Sequence, residues 1–350
     1  MTYIIIGGGL SGLYMAYRCQ QKNQDYLLLE AGSALGGRAA GWKIKDNWSL
    51  ELGATWYWDD FQTEFVELIE ELNIENFSQP IGKTIYDLKG ESLSVINRPY
   101  SAGRRLVGGM SRLIDELYKR LDSSKVLLNQ AVTSISLTDK VHVTTTDDTF
   151  VADAIFLAIP PRIAVETIHF SPSLPLDIEK DWSAQETWMA PHAKILFTFS
   201  RPFWRELGFS GDIISNHGVM AEIHDISSPE GDFGALFGFA SQSYQERKEH
   251  SIEDCLSASI KQLERYFGHR ISKYLQATYY KDWSADSHIA RPADWTAKGH
   301  QFKSASNHII GPWQSRLIGI SSEFSPTFPG FLAGAIESVN IAQGNERDKS

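Results

Sequence analysis

Three glycines close to the start of the chain have the spacing that dinucleotide binding requires. Gly7, Gly9 and Gly12 form a G-x-G-x-x-G pattern directly after a short apolar run of the kind found in a buried strand. The first glycine permits a tight turn, the second lets the backbone approach a pyrophosphate, and the third lets a helix pack on the strand. Leu10 and Ser11 begin that helix, whose free N–H groups and positive dipole end attract phosphate. The alternative is a glycine-rich turn in an α/β domain that binds no ligand.

A second loop, which follows the next strand, indicates that the dinucleotide is FAD. Glu30, 18 residues after Gly12, ends the next apolar run, with Ala31 beside it, and is placed to accept hydrogen bonds from a ribose hydroxyl. Gly37 and Arg38 follow in a loop where a main chain and a guanidinium can both meet a phosphate. A second segment that closes over the pyrophosphate favours FAD over NAD.

Two other groups of residues are candidates for chemistry or for a pocket wall. Lys194 begins the strand-like run KILFTF, and an ammonium group among apolar neighbours tends to lose its charge and can position water or move a proton. The alternatives are a surface lysine at a strand edge and, for the nearby His192, a buried core histidine. Trp56, Tyr57 and Trp58 form either core filler or the wall of an aromatic substrate pocket.

The composition sets limits on the class of protein. A length of 350 residues predicts about two domains, and 42% hydrophobic with 22% charged residues is ordinary for a globular protein. The formal net charge of −10 argues against general nucleic-acid binding and against anionic membrane surfaces. Cys19 and Cys255 are far apart in sequence, so we expect no disulfide framework and a reducing compartment. The chain enters its first strand without a signal-type segment, and no apolar run is long enough to span a membrane, so we expect a cytoplasmic location.

Hydrophobic periodicity shows which elements position these residues. The pattern predicts helices over residues 60–72, 111–121, 251–267 and 332–342. In the first of these, we expect an apolar face formed by Phe61, Phe65, Leu68, Ile69 and Leu72. Short strands between residues 126 and 159 read as a β-meander that returns to a parallel sheet. The predicted fold class is α/β, with a Rossmann-like FAD-binding domain (parallel sheet plus β-meander) and a discontinuous α+β substrate domain.

Stretches spread over nearly the whole chain resemble the flavin-containing amine oxidase family of monoamine and polyamine oxidases. The first are GGGLSGL with Glu30, GGR ending at Arg38, and LELGATW at residues 50–56. GGMSRLIDEL, VTSI and AIFLAIPP follow, and then MAPHAKILFTFSRPFW at residues 189–204. The last is SSEFSPTFPGFLAGAIESV at residues 321–339. Several motifs in the family's order make this resemblance specific.

The resemblance implies an FAD enzyme whose domains are discontinuous in sequence. The FAD-binding domain would comprise residues 1–58, 104–165 and 275–345, the substrate domain residues 59–103 and 166–274, and a tail residues 346–350. The implied reaction removes a hydride from the carbon next to an amine nitrogen, giving an imine and reduced FAD, which dioxygen reoxidises with formation of hydrogen peroxide. This chemistry belongs to the flavin and needs neither a Ser/His/Asp triad nor a metal cluster.

The resemblance also assigns roles to individual residues. Lys194 is the implied catalytic residue, holding a water near flavin N5 and assisting reoxidation. The implied cofactor-binding residues are Gly7, Gly9, Leu10, Ser11, Gly12, Glu30, Ala31, Gly37, Arg38, Gly53, Ala54, Thr55, Val132, Ser322, Glu323 and Phe331. Val132 would present its backbone to the adenine ring. The implied substrate pocket contains Trp56, Trp58, His192, Trp283 and Phe331.

Departures from the family pattern leave the substrate open. Phe331 occupies the place of an aromatic cage residue without a tyrosine hydroxyl, and Trp283 and Trp295 are candidates for the second wall. No cysteine lies between these two tryptophans, so we expect FAD to be bound without a covalent link. The segment between residues 60 and 108 has little room for the usual substrate-domain helices, which indicates a more open pocket.

Two other functions remain as alternatives at this stage. One is a flavin desaturase or dehydrogenase of the protoporphyrinogen or carotenoid type, against which Lys194 and the lack of a large apolar entrance argue. The other is a flavoprotein with little turnover that acts as a binding partner. The sequence identifies neither the amine, the physiological electron acceptor nor the oligomeric state. Arg98, Arg104 and Arg105 are the arginines considered for binding a substrate carboxylate.

Overall fold

The computed structural model describes residues 1–45, 48–90, 92–97, 103–296 and 303–347. The strands, in chain order, are β1 (Thr2–Ile6), β2 (Asp25–Leu29), β3 (Gly41–Lys45), β4 (Trp48–Glu51), β5 (Asn76–Ser78), β6 (Lys83–Asp87), β7 (Ser94–Ile96), β8 (Arg104–Leu106), β9 (Val126–Leu127), β10 (Val132–Leu137), β11 (Val141–Thr145), β12 (Thr149–Ala152), β13 (Ala154–Leu157), β14 (His169–Ser171), β15 (Ala193–Phe199), β16 (Phe209–Ser215), β17 (Met220–Asp225), β18 (Gly234–Ala240), β19 (Leu275–Asp282) and β20 (Leu317–Gly319). The helices are α1 (Leu10–Gln21), α2 (Thr63–Glu71), α3 (Ser111–Tyr118), α4 (Pro161–Thr167), α5 (Leu176–Ala184), α6 (Phe203–Glu206), α7 (Tyr244–Lys248), α8 (Ile252–Phe267), α9 (Arg270–Tyr274) and α10 (Leu332–Arg347).

A parallel sheet carries the glycine turn. Its strand order is β20-β13-β1-β2-β9, and every neighbouring pair is parallel. Strands of such a sheet are covered on both faces and therefore need apolar residues at every position. In β1, Tyr3 and Ile5 pack into the core beneath α1, α3 and α10, whereas Ile4 and Ile6 pack into a second core on the opposite face. The Rossmann-like part of the predicted fold class is confirmed.

The meander expected between residues 126 and 159 also forms. Strands β10, β11 and β12 pair antiparallel, and β14 adds to the edge of β10 in parallel. The strands on either side, β9 and β13, belong to the parallel sheet. The chain thus leaves the parallel sheet, forms the meander and returns, as the short apolar runs predicted.

The strand that carries Lys194 lies inside a seven-stranded sheet of order β19-β15-β18-β17-β16-β6-β7. All seven residues of β15 are buried. Ile195, Phe197 and Phe199 pack into a core that includes α8 residues. Because side chains alternate between the faces of a strand, Lys194 and Leu196 lie on the other face, and Leu196 packs into a separate core there.

One strand of this sheet lies within a segment that the sequence assigns to the FAD-binding domain. The proposed third segment of the FAD-binding domain begins at residue 275, but residues 275–282 form β19, which pairs along its length with β15. By its hydrogen-bonded pairing, β19 is part of the seven-stranded sheet and not of the parallel sheet. Sequence could not show this, because a strand's partner is set by tertiary packing.

The predicted helix over residues 60–72 is shorter than expected. Helix α2 spans Thr63–Glu71, and Phe65, Leu68, Ile69 and Leu72 are buried as predicted. Phe61 is 54% exposed, so its expected place on the buried face was wrong. It lies in a turn before the helix and stacks on Trp58, with ring centroids 6.2 Å apart. In the described part of the chain, no helix combines the length and apolar character needed to cross a membrane.

Candidate active site

A cavity of about 1150 Å³ connects the glycine turn with Lys194. Its wall includes Ile6 and Leu29 at the carboxyl ends of β1 and β2, which is the edge where open parallel sheets bind ligands. The volume exceeds the roughly 300–1,000 Å³ of pockets for drug-sized ligands. The cavity is therefore large enough for a dinucleotide with a small substrate beside it.

The glycine turn has the geometry that its spacing predicts. Gly7 has φ +107°, and its N–H donates to the main-chain oxygen of Leu29 at 2.8 Å. A Cβ at Gly12 would lie 1.9 Å from the main-chain oxygen of Gly7, so only glycine lets α1 approach this closely. A Cβ at Gly9 would meet nothing within 4 Å, so Gly9 faces open space. Helix α1 has no side-chain cap, which leaves its first N–H groups available to an anion.

Glu30 lies in the cavity wall, and both of its carboxylate oxygens hold the loops around it. Oε2 accepts from the N–H of Gly8 at 2.6 Å, and Oε1 accepts from the N–H of Gly32 at 2.7 Å. Each carboxylate oxygen retains a further lone pair. The position therefore fits a ribose hydroxyl while also ordering the turn.

Arg38 lies in the cavity wall and forms an ion pair with buried Glu323, with Nη1 to Oε1 at 2.6 Å. Burial by itself would raise the pKa of Glu323, but the Arg38 guanidinium outweighs this and holds the pKa below its ordinary value. Among the predicted cofactor-binding residues, Glu323 and Gly12 are not part of the wall. Glu323 acts on the cavity through Arg38, and Gly12 acts through the packing of α1.

Lys194 is fully buried, and three protein groups accept hydrogen bonds from its ammonium group. Nζ donates to the main-chain oxygen of Gly53 at 2.7 Å, to that of Glu51 at 3.3 Å and to Oγ1 of Thr55 at 3.1 Å. It also lies 3.6 Å from the ring centroid of Phe237. Burial lowers the pKa of Lys194 to about 7, against the opposing effect of the Glu51 carboxylate. The alternative of a surface lysine is wrong.

A buried ion pair behind Lys194 was not anticipated from sequence. Arg105 Nη2 lies 3.3 Å from Glu51 Oε2, and both side chains have no exposed surface. Arg105 also donates to the main-chain oxygens of Ile226 and Ser227, each at 2.9 Å. Burial raises the pKa of Glu51, and the charges of Arg105 and Lys194 oppose this rise. A carboxylate two residues before the G-A-T run was the available signal, but its partner is 54 residues away.

Aromatic rings form much of the wall near Lys194. The four aromatic residues predicted for the pocket all line the cavity: Trp56, Trp58, Trp283 and Phe331. Trp188 and Phe239, which were not predicted, line it as well. Trp56 is held by a hydrogen bond from Nε1 to Gln79 at 3.2 Å, and Trp283 by one to the main-chain oxygen of Leu52 at 2.9 Å. Trp295 does not line the cavity and instead packs on Tyr244. Of the two candidates for a second wall, only Trp283 is in place.

His192 lies in the same wall, between Trp188 and Phe239, with ring centroids 5.1 and 5.8 Å away. Its Nε2 has no hydrogen-bond partner in the described part of the chain. Burial, and secondly the positive charge of Arg247, lower the pKa of His192 to about 4. The ring is therefore neutral near pH 7 and leaves one nitrogen available to a ligand.

The remaining predicted residues also reach the cavity, except for the arginines. The predicted wall residues that the structure places there are Gly7, Gly9, Leu10, Ser11, Ala31, Gly37, Gly53, Ala54, Thr55, Val132 and Ser322. Arg104 and Arg105 do not line the cavity, and Arg98 lies outside the described residues. Arg291 lines it and was missed, since its isolated position in the sequence gave no signal. Over the described ranges, no cluster of three or more His, Cys, Asp or Glu is suited to hold a metal ion.

Comparison with protein families gives two matches. The model for "Flavin containing amine oxidoreductase" matches residues 84–338, and that for "NAD(P)-binding Rossmann-like domain" matches residues 5–72. These matches confirm the resemblance found in the sequence. The first covers more than half of the chain.

Two of the relatives are similar along nearly their whole length. A probable flavin-containing monoamine oxidase A of Dictyostelium discoideum is 23% identical, with 99% of this chain and 97% of the relative covered. An L-amino acid dehydrogenase of Synechocystis is 22% identical, with 97% and 93% covered. The first alignment extends over 453 positions against 350 residues here, so that relative carries segments that this chain lacks.

Solved structures show the same fold. Cyclohexylamine oxidase from Brevibacterium oxydans superposes with a TM-score of 0.84 at 16% identity, covering 99% of both chains. Putrescine oxidase bound to putrescine superposes with a TM-score of 0.79 at 18% identity, again covering 99% of both chains.

Proposed function

Because the chain belongs to the family of flavin-containing amine oxidoreductases, we propose that it is an FAD-dependent amine oxidase. It removes a hydride from the carbon next to an amine nitrogen to give an imine, and dioxygen becomes hydrogen peroxide. The observation that supports this most strongly is a buried lysine of lowered pKa in the same cavity as a dinucleotide-binding turn. A desaturase or a non-catalytic flavoprotein gives no reason for a lysine there.

The residues present fit FAD. The open space at Gly9 admits a pyrophosphate next to the first N–H groups of α1, and Glu30 is placed for the ribose. Val132 lines the cavity, which supports a contact between its backbone and the adenine ring. FAD, when bound, supplies the hydride acceptor and the electrons for dioxygen. Neither cysteine lines the cavity, which supports a non-covalent link.

The wall near Lys194 suits a neutral amine. Hydride loss from the adjacent carbon needs the nitrogen lone pair, so the amine must react unprotonated. Trp56, Trp283 and Phe331 supply an apolar lining, in which a neutral amine loses less hydration free energy than an ammonium ion does. His192, with its pKa of about 4, adds no positive charge near neutral pH. These side chains orient the substrate and exclude water.

The two cysteines support a reducing compartment. Cys19 is buried and Cys255 partly buried, and neither forms a disulfide. Free thiols are typical of a reducing compartment, which supports a cytoplasmic location. The acidic net charge of −10 supports a small-molecule substrate rather than a nucleic acid.

A peroxide assay tests the proposed function. The FAD-loaded protein is mixed in air with putrescine, cyclohexylamine, an aromatic monoamine and an L-amino acid, which represent the substrates named for the relatives. We expect amine-dependent peroxide from at least one class, and a lower rate for Lys194→Met. If flavin is reduced by an amine but no peroxide forms, the enzyme is a dehydrogenase rather than an oxidase. If no amine reacts, the low-turnover alternative replaces this proposal.

A further inference from the structure

The ammonium group of Lys194 is hydrogen-bonded to three protein groups. A lysine ammonium has three N–H donors and no acceptor. The three acceptors are the main-chain oxygens of Glu51 and Gly53 and the hydroxyl of Thr55. The ammonium group is thus held by three protein groups, and Lys194 itself also lies in the cavity wall.

Only one of these three acceptors can pass a proton on. A carbonyl oxygen accepts a hydrogen bond but has no proton of its own to donate, whereas a hydroxyl accepts one bond and donates another. Thr55 lies in the cavity wall. Its hydroxyl proton meets no acceptor among the described residues, so it is available to a partner inside the cavity.

Two aromatic rings and a buried ion pair lie next to the ammonium group of Lys194. Its side chain is 0% exposed, and the ring centroids of Phe237 and Phe239 lie 3.6 and 5.3 Å from Nζ. The charged groups that face it are Glu51 and Arg105, which are paired with each other, and Lys281 is its register partner on β19. Lys281 forms its own ion pair with Asp286 at 2.8 Å, so it offers no acceptor for the proton.

We propose that the Thr55 hydroxyl is the relay through which Lys194 exchanges a proton with the cavity. The proposal rests on the proposed oxidase function, in which reduction of dioxygen to hydrogen peroxide takes up protons. In the step, an Nζ–H bond of Lys194 breaks and an Oγ1–H bond forms, while the original Oγ1–H proton moves to an oxygen atom of water or of dioxygen undergoing reduction. Lys194 is left as a neutral amine, and the transfer itself moves no electron between residues. A pKa of about 7 supports this role, because both protonation states of Lys194 are then populated near neutral pH.

Reoxidation of the FAD-loaded protein tests the relay without any amine. The flavin is reduced anaerobically with dithionite and mixed with dioxygen at several pH values. In the wild type, we expect the rate to fall as the pH rises through the pKa of Lys194. Thr55→Val keeps the shape of the side chain and removes the hydroxyl, and we expect its rate to be about 100-fold lower and independent of pH. A factor of about 100 is the low end of what a positioned proton donor contributes.

Three further variants separate a relay from a structural effect. Thr55→Ser keeps the hydroxyl and should restore the rate and its pH dependence. Thr198→Val removes another buried hydroxyl from the same strand as Lys194, one that bonds Ala277 instead, and should leave both unchanged. The double variant of Thr55→Val with Lys194→Met should be no slower than either single variant, because both lie on one path.

A second readout does not depend on turnover. In FAD-free protein labelled with ¹³C-lysine, the signal absent from Lys194→Met reports the protonation of Lys194. Thr55→Val should lower that pKa below about 7, since the charged form loses an acceptor, and Thr55→Ser should not.

Two results would overturn the relay. If Thr55→Val is reoxidised at the wild-type rate while Lys194→Met is reoxidised slowly, Lys194 acts without Thr55. Wild-type rates in both variants would remove Lys194 and Thr55 together. A failure of every amine to react would count against the proposed function alone, because dithionite supplies the electrons here.

Discussion

Two glycines of the same turn should respond in opposite ways to alanine. At Gly9 the added Cβ meets nothing within 4 Å, and the backbone, at φ −75° and ψ −173°, is one that alanine adopts freely. Gly9→Ala should therefore leave the FAD-free protein as stable as the wild type or more stable by about 0.4–1 kcal/mol, through the reduced entropy of the unfolded chain. At Gly12 the Cβ would lie 1.9 Å from the main-chain oxygen of Gly7, which cannot move without separating α1 from β1. Overpacking of this kind costs about 1–3 kcal/mol.

Gly9→Ala should weaken FAD binding, although it should not lower the stability of the FAD-free protein. Because the open space there is where a pyrophosphate must approach the backbone, a methyl group should cost roughly 1–3 kcal/mol of binding, or about 5- to 150-fold in affinity. Urea unfolding of the FAD-free variants gives the stabilities, and titration of each with FAD, followed by quenching of flavin fluorescence, gives the affinities. If Gly9→Ala binds FAD as tightly as the wild type, the cofactor does not lie against this turn and the assignment of the cavity is wrong.

Three further predictions concern the cofactor link and the charge on Lys194. Acid precipitation should release all of the FAD into solution, and flavin absorbance that stays with the precipitate would show a covalent link. The pKa of Lys194, about 7 when folded and 10.5 as the ordinary value, means that the unfolded state binds one more proton between those pH values. The free energy of unfolding therefore rises with pH in this window, and Lys194→Met should remove about 1.4 kcal/mol per pH unit of that slope, measured by urea unfolding; an unchanged slope would mean that Lys194 is charged in the folded protein. Glu51→Gln should lower the pKa of Lys194 further, because it removes the opposing negative charge and leaves that of Arg105; an unchanged titration of the labelled lysine would contradict this.

The dinucleotide turn could be predicted because its requirements are local. Gly7, Gly9 and Gly12 follow one another within a single strand, turn and helix, and their spacing alone determines which atoms approach. The strand around Lys194 was predictable for the same reason, since its nearly continuous run of apolar residues is typical of a strand covered on both faces.

The contacts that decide the chemistry were not predictable, because they join distant parts of the chain. Lys194 and Thr55 are 139 residues apart, and Arg38 and Glu323 are 285 residues apart. Glu323, which we predict to bind the cofactor, forms an ion pair with Arg38 and does not line the cavity, and sequence does not show which way a buried side chain points. The predicted position of Phe61 on the buried helix face was wrong, because apolar spacing alone does not show at which residue a helix begins.

The most direct test of FAD-dependent amine oxidation is an anaerobic titration followed at the visible absorbance band of the flavin. The FAD-loaded protein is mixed with increasing amounts of the amine that gives the most peroxide, and air is then admitted. We predict that the band bleaches to completion without oxygen and returns in air while hydrogen peroxide forms. Retention of the oxidised spectrum with every amine tested, in a protein that holds FAD firmly, would contradict the account.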